Sequence, residues 1–96
     1  MKLFAGLALV ALMTVPAHAA PTSEQKAEFH AVCMGIAQDD TLCGCKADAA
    51  MTLIDERMMG YIIAGMKGGV GDEPDDVARA RAKYIAESNR ACGLNY

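Results

Sequence analysis

The chain is 96 residues long, 53% hydrophobic and 22% charged, with four Cys, seven Met and no Trp. That length allows one domain at most, and it excludes a dinucleotide-binding fold or a barrel enzyme. The formal net charge of −3 points away from nucleic acid, whose protein partners are usually basic.

The first element in chain order is an export signal over residues 1–19. Lys2 supplies the positive start, and Leu3 to Val15 form an uncharged apolar run. Pro16 breaks that run, and Ala17-His18-Ala19 places small residues at the two positions a signal peptidase reads. The apolar run is shorter than the roughly 20 residues that span a bilayer. Cleavage is expected after Ala19, since a cut after Ala20 would put His18 at the third position back and Pro21 directly beyond. No Cys lies near the cut, so the mature chain keeps no stable membrane anchor. The destination is the periplasm or the medium. Residues 20–96 remain as a single small acidic domain, one positive charge poorer without Lys2.

Ser23 is a good helix N-cap, with Glu24 in the first turn. Phe29, Val32, Cys33 and Ile36 then recur at helical spacing, which predicts a first helix from about Ser23 to Ala37. Gln38-Asp39-Asp40 is a polar turn, and Asp40 or Thr41 can cap the second helix. From Thr41 to Lys67 there is no proline. Cys43, Ala47, Ala50, Ile54, Met58, Tyr61 and Gly65 fall on one narrow stripe at 100° per residue, so one long second helix is expected. The competing reading breaks it at Thr52, where Thr52-x-x-Asp55 opens a new helix. Gly68-Gly69-Val70-Gly71 is a breaker. Pro74 with Asp75 and Asp76 begins the last helix, Val77, Ala80, Tyr84, Ser88 and Ala91 continue it, and Gly93 stops it after Cys92. No strand pattern appears. The expected fold is all-α: a small disulfide-stapled bundle of three helices, or four if the chain is broken near Thr52.

Four Cys in a short exported chain read as two disulfides. A Cys43–Cys45 bridge would close a strained ring around Gly44, which leaves Cys33–Cys43 with Cys45–Cys92, or Cys33–Cys45 with Cys43–Cys92. Matching heights in the first helical hairpin favours Cys33–Cys45 and Cys43–Cys92. A bridge to Cys92 also argues for three helices, because two antiparallel helices over 41–67 would leave Cys92 at the wrong end of the bundle.

The chemistry-bearing side chains are sparse. No Ser or Cys nucleophile has a His and a carboxylate placed around it, so no enzyme is expected. His30 reads as a solvated or partly packed residue. Asp72 to Asp76 lacks the ligand spacing of a calcium loop and reads as a helix start. No metal site and no cofactor are expected. Met59, Ile63 and Met66, with Leu53, lie off the main stripe and would face either a protein partner or the other two helices. The functional expectation is a protein-binding module with a partner of unknown identity. The alternative is a redox or copper-handling protein using Cys43 and Cys45 with Met side chains.

The order of features, namely an export signal, Cys33 in the first helix, Leu42-Cys43-Gly44-Cys45 opening a long helix and Cys92 near the C-terminus, resembles small exported four-cysteine helical proteins of proteobacteria. The resemblance implies a stapled helical fold in the cell envelope and carries no activity with it.

Overall fold

The computed structural model describes residues 19–69 and 71–94. The export signal read over residues 1–19 lies, Ala19 apart, outside the described residues. Four helices run in order: α1 Ser23–Ala37, α2 Asp40–Leu53, α3 Glu56–Met66 and α4 Asp75–Ala91. Helix α1 begins one residue earlier in its capping than the sequence suggests. Thr22, not Ser23, is the N-cap: its side chain accepts from the Gln25 N–H, and the Gln25 side chain reaches back to the Thr22 N–H. This reciprocal pair satisfies two of the donors a helix start leaves open. Asp39 caps α2 through the Leu42 N–H, ahead of the expected Asp40 or Thr41.

The single helix expected over residues 41–67 is two helices, the four-helix alternative. Ile54 and Asp55 are extended, and the Asp55 carboxylate accepts from the Met58 N–H to start α3. Asp55 is thus the cap itself, whereas Thr52 turns its hydroxyl back to donate to the Ala49 carbonyl. Short polar side chains compete with the helix ladder in this way, which is why they favour caps over helix interiors. The Glu56 N–H, open at the new helix start, donates to the Ala19 carbonyl.

The two-residue link also rotates the phase of everything after it. A continuous helix would present Met58, Tyr61 and Gly65 inward. The observed α3 keeps Met58 buried but adds Met59, Ile62 and Ile63, with Tyr61 half-buried and Gly65 exposed. Helix α4 keeps the expected phase, with Val77, Tyr84 and Ser88 buried. It ends at Cys92, with Gly93 at φ 77° and the Leu94 N–H closing back on the Asn89 carbonyl.

Helices α1 and α4 each pack against both α2 and α3. The core joins Phe29 and Cys33 of α1, Cys43, Ala47 and Ala50 of α2, Met59, Ile62 and Ile63 of α3, and Tyr84 of α4. Because α2 and α3 run between the same two neighbours rather than folding back on each other, Cys92 returns to the start of α2 even with four helices.

The disulfides are Cys33–Cys43 and Cys45–Cys92, with Cα atoms 5.6 and 5.9 Å apart. This corrects the favoured pairing of Cys33 with Cys45 and Cys43 with Cys92. Matching heights ignores direction: two residues along a helix is a turn of about 200°. Cys43 points at α1 and is wholly buried, whereas Cys45 points the other way, toward the end of α4. One bridge therefore clasps α1 to α2 and the other clasps α2 to α4. No cysteine is free. Stable disulfides of this kind belong to an oxidising compartment outside the cytoplasm. No helix among the described residues is long and apolar enough to cross a membrane.

Gln38 carries the only positive φ of a non-glycine residue among those described, 55°, at the C-cap of α1. The left-handed region costs an L-residue about 1–2 kcal/mol, more than glycine's extra chain entropy. Gln38→Gly should therefore raise stability by about 0.5–1 kcal/mol, read as a higher denaturation midpoint. A lower midpoint would show that the Gln38 side chain makes up the difference.

Candidate ligand cleft

The candidate site is a cleft of about 200 Å³ to which all four helices contribute. Phe29 comes from α1, Lys46 from α2, Ile62 and Met66 from α3, and Arg81, Tyr84 and Ile85 from α4. Its floor is set by contacts between helices distant in sequence. Phe29 and Tyr84 meet edge to face, with centroids 6.4 Å apart and planes at 87°. The Tyr84 hydroxyl donates to the Lys46 carbonyl at 2.9 Å, which ties α4 to α2 beneath the opening. Burial pushes the Tyr84 phenol up to about 12, so it stays protonated and keeps donating. Ile85 stands on the rim, 46% exposed.

Two cations border the cleft, and they differ. Arg81 is neutralised: its guanidinium grips both oxygens of Glu73, at 2.5 and 3.3 Å, and also donates to the Tyr61 carbonyl. It lies so close over α3 that a Cβ on Gly65 would come within 3.0 Å of it, so the missing side chain at Gly65 admits the guanidinium. Lys46 has no carboxylate partner among the described residues. Its ammonium donates to Ser88 Oγ at 2.8 Å and to Asn89 Oδ1, and sits 5.6 Å from the centroid of the Tyr84 ring. Ser88 and Asn89 are themselves buried. Desolvation by burial pushes the Lys46 pKa below the usual lysine value. An ammonium held only by neutral oxygens and a ring face is an uncompensated positive charge at the mouth of an apolar cleft.

The residues singled out from sequence are distributed differently. Met59 and Ile63 do not form an exposed patch; the phase shift at Asp55 puts both in the core, at 0% and 4% exposure. Met66, half-buried, is the member of that trio that lines the cleft. Cys43 and Cys45 belong to different disulfides, and Met58 and Met59 are buried. Among the described residues, no group of three or more His, Cys, Asp or Glu side chains is placed to hold a metal. His30 lies on the surface, its Nε2 2.9 Å from Asp40 Oδ1 across the α1–α2 turn.

Sequence reasoning missed Lys46 and Arg81. The first was signalled: Lys46 lies three residues after Cys43 and four before Ala50, on the edge of the apolar stripe rather than opposite it. The second was not, since Arg81 sits in a series of basic residues on α4 and is distinguished only by Gly65 and Glu73, which come from elsewhere in the chain.

Comparison with protein-family models, with curated proteins and with solved structures found no significant match.

Proposed function

We propose that this protein is an exported, periplasmic or secreted helical module that acts by binding another protein at the Phe29–Tyr84–Ile85 cleft, and not by catalysis. The carrying observation is the cleft: an apolar recess built jointly by four helices, with a large aliphatic residue half exposed on its rim. A recess that accepts an anchor side chain, beside an exposed apolar residue, is the usual centre of a protein-binding surface. The two disulfides support the reading, because they hold α1, α2 and α4 around the recess and make the site rigid before a partner arrives. The polar groups at the cleft are occupied in holding the fold, Arg81 by Glu73, Tyr84 by the Lys46 carbonyl and Lys46 by Ser88 and Asn89, which suits recognition better than proton transfer.

Ile85→Asp tests this reading. An exposed side chain of this kind shifts stability by within about 0.5 kcal/mol when replaced. Capture from an envelope extract should recover a partner with the wild-type protein and lose it with the variant, at an unchanged melting temperature. Equal recovery by both proteins, or no partner recovered by the wild type, contradicts it.

A further inference from the structure

Resting on the cleft reading above, we infer that the partner segment docking there places one large apolar side chain in the recess and an adjacent side-chain carboxylate on Lys46. Size argues for a single side chain. The recess, at about 200 Å³, is below the roughly 300–1,000 Å³ of sites that enclose whole drug-sized molecules. Its walls of Phe29, Ile62, Met66 and the Tyr84 ring suit an aromatic or long aliphatic group. The rim argues for a continuous segment, because Ile85 lines the recess yet stays 46% exposed, and its outward part gives apolar contact beyond what one buried side chain covers.

Charge argues for the carboxylate. Of the two cations at the opening, Arg81 has a carboxylate from this chain and Lys46 has none among the described residues. A lysine ammonium carries three donors, and Ser88 and Asn89 take two. The third is available to an acceptor on an arriving chain. The ammonium has already lost part of its water on folding, so a carboxylate there gains attraction without paying for that desolvation again. A second lysine or arginine brought to the same place meets an uncompensated like charge, which turns the cleft against basic segments.

The probes are four capped tetrapeptides, acetyl-Ser-Phe-X-Ser-amide with X as Glu, Gln or Lys, and the Glu peptide with Ala in place of Phe. Titration is followed by the methyl NMR signals of Met66 and Ile85. The Glu peptide should bind about three- to fivefold more tightly than the Gln peptide, the range of a partly exposed ion pair, with the Lys peptide weakest. Lys46→Gln keeps a donor for Ser88 and Asn89 while removing the charge. It should bring the Glu and Gln peptides to equal affinity, and Lys46→Arg should restore the preference. Equal binding of the Glu and Gln peptides by the wild type, or a preference that survives in Lys46→Gln, overturns the carboxylate assignment and leaves the cleft reading standing. Equal shifts from the Phe and Ala peptides, or no shift from any of them, overturn both.

Discussion

Cys92→Ser lowers the melting temperature of the folded domain by roughly 15–30 °C, as followed by far-ultraviolet circular dichroism. The Cys45–Cys92 bridge spans 47 positions of sequence and is the one disulfide that ties α4 to the rest of the bundle. On a chain-entropy argument a loop of that length contributes about 4 kcal/mol, against about 3 kcal/mol for the ten-position Cys33–Cys43 loop. In a domain of this size each kcal/mol moves the midpoint by about 4–8 °C. Cys33→Ser should therefore cost less than Cys92→Ser, and the order of the two is the informative part. A small domain has little apolar area with which to replace a lost staple. A melting temperature unchanged in Cys92→Ser would mean that α4 is held by packing alone.

Phe29→Ala destabilises the protein by about 3–5 kcal/mol, the range for removing a large buried aromatic side chain. Phe29 is 3% exposed and touches the core from the centre of α1. It also supplies the edge-to-face contact that orients Tyr84. Its loss removes apolar burial and leaves a void next to an existing recess, where neighbouring helices tied by disulfides cannot close in. Guanidinium denaturation measures the effect: the midpoint should fall with little change in slope. The absence of Trp makes circular dichroism the convenient signal. A loss below about 1 kcal/mol would show that the bundle rearranges to fill the space, and the cleft could then not be a fixed feature of the fold.

Much of the fold is legible in the chain, and the departures share one cause. The bounds of α1 and the end of α4 come from residues that act locally: Thr22 with Gln25, the left-handed position after Ala37, and Gly93. The break between α2 and α3 is harder to read because two signals compete there. Apolar periodicity runs through Ile54 as if one helix continued, whereas Asp55 is a strong cap. The cap prevails: the Asp55 carboxylate takes the Met58 N–H and starts a new helix. The rotated phase after that break decides the two readings of Met59 and Ile63 in favour of the core, and it leaves Gly65 exposed beneath Arg81. The disulfide pairing departs from expectation for a related reason. Height along a helix is easy to count from sequence, but the direction in which Cys43 and Cys45 point depends on where α1 and α4 lie around α2. The cleft itself is a product of all four helices, and only Lys46, on the edge of the α2 stripe, announces any part of it beforehand.

Two clasps on opposite sides of α2, Cys33–Cys43 and Cys45–Cys92, draw the helices together around the cleft. Proteolytic mapping alone cannot read the pairing, because only Gly44 separates Cys43 from Cys45. Partial reduction at low pH, with alkylation of each newly opened pair and then fragmentation of the labelled peptides, reads it directly. Species in which Cys45 and Cys92 are labelled together are expected, and others in which Cys33 and Cys43 are. Joint labelling of Cys33 with Cys45, or of Cys43 with Cys92, would overturn the two-clasp arrangement.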